Sequence, residues 1–206
     1  METFRLPLFP LPVTLFPGTV LPLHIFEPRY RQMVEHVMKG DKRFGLLYHD
    51  PDESGPFLNE EGRVGTLAEI QRHQLLPDGR SLILVRGVTR FQIVWEVRGE
   101  ALYYEAEVGI YEDLPPQDPE ALYQQRKRSL GLFKNLLRTQ AHAPDALPTF
   151  RLKEELSFKL AATVRMDPFW QQELLEMRDE AARLGRLDPV FLVGLERGWE
   201  EGGQEA

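Results

Sequence analysis

The chain has 206 residues, a net charge of −7, 42% hydrophobic and 28% charged residues, and no cysteine. These values fit one large globular domain or two small ones. They exclude disulfides and thiolate chemistry, and the acidic balance speaks against a nucleic-acid binder, which needs clustered Lys and Arg to neutralise phosphate.

The first element is an apolar ribbon, "FRLPLFPLPVTLFPGTVLPLHIFEPRY", interrupted by Pro7, Pro10, Pro12, Pro17 and Pro22. It has no basic leading region, and no apolar run in the chain approaches the ~18–20 residues of a membrane span. The expectation is a soluble, cytoplasmic protein. "FPGT" at Phe16–Thr19 matches a type II turn, with proline second and glycine third. It separates two predicted strands, Leu6–Leu15 and Thr19–Phe26. Proline donates no backbone hydrogen bond, so the ribbon reads as a sheet border and not as a central strand.

A helix follows. Pro28 suits its first turn, and Tyr30, Met33, Val34, Val37 and Met38 form one apolar stripe ended by Gly40. "RFGLLYH", "VGTLAEIQRHQLL", "SLILVRG", "VTRFQIVWEV" and "YYEAEVGIYE" carry strand character, with a turn at "PDG". The loop "DPDESGPFLNEEG" is polar apart from Phe57 and Leu58. Short strands at this spacing around one helix suggest a small barrel.

At "DLPPQDPE" the chain changes character. Asp-Pro recurs at Asp118, Asp167 and Asp188, a pairing in which aspartate caps and proline fills the first helical turn. The spacing predicts helices over Glu120–Gln140, Arg151–Arg165, Phe169–Leu184 and Val190–Arg197, with "AHAPDALPT" as a loop. The first carries Leu122, Leu130, Phe133, Leu136 and Leu137, mostly on one face. The fold class is therefore α+β. The division is 1–114 for the β-rich part, 115–200 for the helices and 201–206 for a disordered tail.

Chemical motifs are sparse. The sequence holds no phosphate-binding G-x-x-x-x-G-K-[ST] loop, no G-x-G-x-x-G and no G-x-S-x-G. His24, His36, His49, His73 and His142 share no metal-binding spacing, so no metal or cofactor is expected. Ser157 and Lys159 invite comparison with a serine–lysine pair, yet residues two apart on a helix do not face each other.

The words "PLFPLP", "LFPG", "LPLHIFEPRY", "RFG", "VGTLAEI", "LPDGR" and "GVTRF" follow one another in an order that resembles the N-terminal, substrate-binding domain of Lon-type ATP-dependent proteases. The likeness is greatest to small stand-alone proteins carrying this domain alone. "ELLEMRDEAARLGRL" resembles that domain's closing helical segment. The resemblance implies a PUA-like β-barrel with an inserted helix, followed by a C-terminal α-helical bundle. It implies a non-enzymatic module that binds unfolded or tagged polypeptides, with a protease as a further partner and a role in protein quality control. No ATPase or protease domain is expected, and no catalytic residue is carried over. The alternative is an RNA-associated PUA-like module, which the missing basic stripe disfavours.

The candidate binding residues are Phe26, Arg29, Tyr30, Met33, Phe57, Leu58 and Trp170. Phe26, Tyr30 and Met33 could equally glue the helix to the barrel, and Arg29 could pair with Glu27. Phe57 and Leu58 either tuck back or touch a partner. Trp170 is a candidate interface anchor. The prolines argue against strand addition, so an apolar groove between barrel and bundle is the favoured site.

Overall fold

The computed structural model describes residues 2–139, 149–164 and 166–197. The tail at 201–206 and most of the 141–149 loop lie outside them. The element order is β1 (Thr3–Leu11), β2 (Val20–Ile25), α1 (Pro28–Met38), β3 (Arg43–Tyr48), α2 (Pro51–Ser54), β4 (Val64–Leu75), β5 (Ser81–Val97), β6 (Tyr104–Ile110), α3 (Pro119–Thr139), α4 (Ser157–Ala161), α5 (Pro168–Glu176) and α6 (Glu180–Arg197). The strands form one sheet ordered β2-β5-β4-β3-β1-β6. β5 also pairs with β6, so the pairings return on themselves. The length of β5 makes this closure feasible: Ser81–Arg86 face β2, and Phe91–Val97 face β6.

The proline ribbon is a border in its second half only. β1 pairs on both sides, antiparallel to β6 over Thr3–Leu8 and parallel to β3 over Leu8–Leu11. Each proline avoids a lost bond by its place in this exchange. The Leu11 carbonyl accepts from the His49 N–H at 2.8 Å, so odd-numbered backbone groups face β3 and even-numbered ones face β6. Pro7 faces the β3 side before that pairing begins. Pro10 faces the β6 side after that pairing has ended. The border is β2. Its Thr19 carbonyl accepts from Gly87 N–H at 2.9 Å, which turns Pro22 toward the free edge. The intervening turn forms as expected, with Gly18 at φ 81° and Thr19 N–H bonded to the Phe16 carbonyl.

α1 buries Tyr30, Met33, Val34 and Val37 against Phe9, Phe44, Ile83 and Val85. A second cluster on the sheet unites Leu8, Leu47, Leu67, Phe91, Ile93 and Val108, with Phe57 closing it.

The chain folds as two compact units. One takes residues up to 112 together with 166–176; the other takes the described residues between 113 and 165 and from 177 on. In the second unit α3 packs on α6, with the Phe133 and Phe191 rings 5.6 Å apart.

Helix boundaries depart from expectation in three places. The segment from Arg151 is helical only over Ser157–Ala161. The bond that would continue the helix backwards is broken at both ends: Leu156 N–H donates to Glu180 Oε1, and the Leu152 carbonyl accepts from Arg126. The predicted Phe169–Leu184 helix is split at 177–179, because the Asp179 carboxylate caps Ala181 and Ala182 and starts α6. Asp188-Pro189 starts nothing; Pro189 lies inside α6, and the buried Asp188 accepts from Gln125 of α3. Asp118 and Asp167 do cap their helices.

Candidate functional site

α5 is held against the sheet by its backbone. The Pro168 carbonyl accepts from Thr14, the Leu175 carbonyl from buried Arg90, and the Glu176 carbonyl from Tyr111. Helix C-terminal carbonyls have no partner within the helix, so Arg90 and Tyr111 supply what the chain cannot. Gln172 adds a fourth tie, its Nε2 donating to the Val64 carbonyl at 2.9 Å.

Beside α5 lies a cleft of about 490 Å³, lined by the end of β3 (Tyr48, His49), the following loop (Pro56, Leu58, Glu60), the start of β4 (Arg63, Val64) and α5 (Phe169, Gln172, Glu176). The three α5 residues stand at i, i+3 and i+7 and so share one face. Leu58 and Phe169 are 60% and 55% exposed, and they bring apolar surface to the cleft from the loop and from α5. Arg63 fixes the loop wall: it donates to the Leu58 carbonyl at 2.9 Å and the Tyr48 carbonyl at 2.7 Å, and it lies over the Phe57 ring. Burial pulls the Arg63 guanidinium below its ordinary pKa.

The sequence candidates divide among three places. Leu58 lines the cleft, and Phe57 tucks beneath it against His49 and Tyr104. Tyr30, Met33 and Phe57 are 2%, 0% and 8% exposed, so they are packing residues and not surface contacts. Burial pushes the Tyr30 hydroxyl up to about 12. Arg29 is ion-paired with Glu27 and lies over the Tyr30 ring. Trp170 is half-buried on α5, one residue from the cleft-lining Phe169. Phe26 stands apart at the end of β2, 59% exposed. There it extends an outward sheet face that the β2–β5 register assembles from Val20, Pro22, His24, Leu82 and Leu84.

Sequence reasoning missed His49, Arg63, Phe169, Gln172 and Glu176. The i, i+3, i+7 spacing on α5 was visible; the surface it faces was not. Ser157 and Lys159 form no pair: Ser157 Oγ donates to Glu155 and accepts from Arg183, while Lys159 bonds Glu154. Among the described residues no cluster of three or more His, Asp or Glu could hold a metal ion, and no helix is long and apolar enough to cross a membrane.

A protein-family model described as the ATP-dependent protease La (LON) substrate-binding domain matches residues 5–187. The chain belongs to the Lon substrate-binding domain family. Lon protease of Cytophaga hutchinsonii is 29% identical over 86% of the chain, and Lon protease 2 of Herpetosiphon aurantiacus is 30% identical over 92%. The chain spans about a quarter of these relatives, 23% and 24% of their lengths. Among solved structures it resembles a Lon N-terminal domain protein from Xanthomonas campestris, with a TM-score of 0.61 and 25% identity over 89% of this chain and 96% of that one. The N-terminal domain of a Mycobacterium avium complex Lon protease shares the fold, with a TM-score of 0.65 and 17% identity over 95% of this chain and all of that one.

The family's short words acquire physical reasons in this fold. "RFG", "VGTLAEI" and "GVTRF" converge on one ring. A Cβ at Gly45 would lie 2.6 Å from Phe91, and one at Gly65 would lie 2.7 Å from Phe91 and 2.5 Å from the Leu46 carbonyl. Gly87 leaves room for the Phe16 carbonyl of the "LFPG" turn.

Proposed function

We propose that this Lon substrate-binding family member is a non-catalytic, cytoplasmic module that holds unfolded or tagged polypeptide segments, working with a protease in protein quality control. In this reading the self-closing sheet with its inserted α1 is a PUA-like barrel, and α3, α4 and α6 are a C-terminal helical bundle. The observation that carries the binding role is the cleft beside α5. Two exposed apolar side chains line a space that a polypeptide side chain can fill, whereas the free sheet edge, β2, lies elsewhere and is blunted by Pro22. Side-chain capture is therefore favoured over strand addition. The RNA reading gains no support, since carboxylates of Glu60 and Glu176 line the cleft.

Fluorescence anisotropy with a labelled, chemically unfolded polypeptide tests the proposal. Replacing both Leu58 and Phe169 with Ser should weaken binding about tenfold or more, since burial of each side chain contributes roughly 1–2 kcal/mol. The pair Val20→Ser and Phe26→Ser on the outer sheet face should leave it unchanged. The reverse pattern would move the site to that face, and a native chain that binds no unfolded polypeptide would end the proposal.

A further inference from the structure

The polar groups of the cleft are unbalanced in one direction. Gln172 is nine-tenths buried, and its Nε2 donates to both the Val64 carbonyl and Glu176 Oε1, at 2.9 and 2.8 Å. Reversing the amide would set its oxygen against two acceptors, so the orientation is fixed by its neighbours. Gln172 Oε1 is then left buried without a partner. A buried acceptor without a donor is costly, and an N–H brought to it would recover that cost.

The same shortage of donors recurs around it. His49 Nε2 lies 2.9 Å from the Gly55 carbonyl, so Nε2 carries the proton and Nδ1 of the neutral ring is an acceptor. Glu176 uses one carboxylate oxygen for Gln172 and has the other open. Glu60 is exposed and, among the described residues, has no hydrogen-bond partner. Arg63 answers them only through space: Glu60 and Glu176 both favour its charged form, without a direct contact. Its Nη1 and Nη2 go to backbone carbonyls, and among the described residues no carboxylate stands within ion-pair distance of it. Two carboxylates against one guanidinium leave the cleft negative. Leu58 and Phe169 supply apolar walls around these acceptors.

We propose that this cleft selects a polypeptide segment carrying a basic side chain next to an apolar one. The ammonium or guanidinium group meets Glu60, Glu176 and the Gln172 and His49 acceptors, while the apolar neighbour packs between Leu58 and Phe169. The inference rests on the polypeptide-binding reading and adds a charge preference to it.

The test uses the whole chain and three short, acetylated and amidated peptides in which leucine alternates with lysine, glutamine or glutamate. Isothermal titration at low salt should rank them lysine, glutamine, glutamate, with about tenfold between the first two, as charge-assisted hydrogen bonds in a partly desolvated site allow. In the variant combining Glu60→Gln and Glu176→Gln the lysine advantage should collapse. Both positions are exposed, and matched thermal melts would show that the variant is folded. Equal affinity of the native chain for all three peptides would overturn the charge preference and leave polypeptide binding standing. A lysine advantage that survives in the variant would overturn the assignment to this cleft. Failure of every peptide to bind would overturn both readings.

Discussion

Phe91 is completely buried, and the backbone around it carries no side chains that would intrude. Gly45 and Gly65 have ordinary φ values, so neither is there for conformational freedom. They are there for volume: an added methyl at either site meets the Phe91 ring, and at Gly65 it also meets a backbone oxygen that cannot rotate away. Gly65→Ala should therefore destabilise the fold by about 1–3 kcal/mol, the usual range for overpacking. Adding Phe91→Leu should return part of the loss, because the two changes share one space and do not add. Urea midpoints of the single and double variants check this; simple additivity would mean that the ring is not the obstacle. The glycines were visible in the sequence as parts of short words. That they form one packing unit with Phe91 was not visible, because Gly45 and Phe91 lie on strands whose register only the closed sheet sets.

At the scale of elements, local patterns succeeded where a single segment decides its own state. The α1 stripe, the "FPGT" turn and the caps at Asp118 and Asp167 formed as their residues predict. They failed where a distant group intervenes. Glu180 and Arg126 take the backbone groups that would have extended α4, and Asp188 is claimed by Gln125 before it can cap. The proline argument was sound in mechanism and misplaced in address. Pro7 and Pro10 sit in a strand that changes partners, and the guarded edge is β2. On that edge Val20 and His24 present N–H groups outward on either side of Pro22, so one substitution completes the donor row. Pro22→Val should raise self-association through β2, seen as a concentration-dependent rise in sedimentation coefficient. The same substitution at Pro10 should not, because β1 lies inside the strand order, between β3 and β6, and is paired with β3 at that position; a rise there as well would undo the assignment. α5 was harder still to place. Its buried residues Gln172, Leu174 and Leu175 do not make a single stripe, so periodicity alone does not reveal its partner surface, and with it the cleft escaped notice.

Across the whole molecule the ionisable groups pull stability in opposite directions with pH. Glu35, Glu69, Asp78 and Glu154 are held below their ordinary pKa values, first by hydrogen bonds from Lys39, Arg43, Arg80 and Lys159. Their contribution is present above the ordinary carboxylate range and is lost as pH falls through the folded values. These groups are exposed, Glu69 partly so, and each effect is small. Glu155 runs the other way. Burial raises it, against the hydrogen bonds it accepts from Ser157 and the Phe158 N–H, with Glu180 adding to the rise and Arg183 opposing it. The folded chain therefore holds this proton more tightly than the unfolded one. Its contribution is complete below the ordinary value near 4.5 and disappears as pH climbs through the raised folded value. Glu155→Gln keeps an acceptor for Ser157 and Phe158 and removes the titration. Arg183 is not stranded by the change, because Asp113 holds it through two bonds at 2.7 and 2.5 Å. The Glu155 side chain retains 34% exposure, which screens the effect. The expected outcome is a direction: the stability of the variant, relative to the native chain, should be greater at pH 7 than at pH 4.5. Paired urea titrations at the two pH values measure it, and an equal difference at both would show that Glu155 ionises in the folded chain as freely as in the unfolded one.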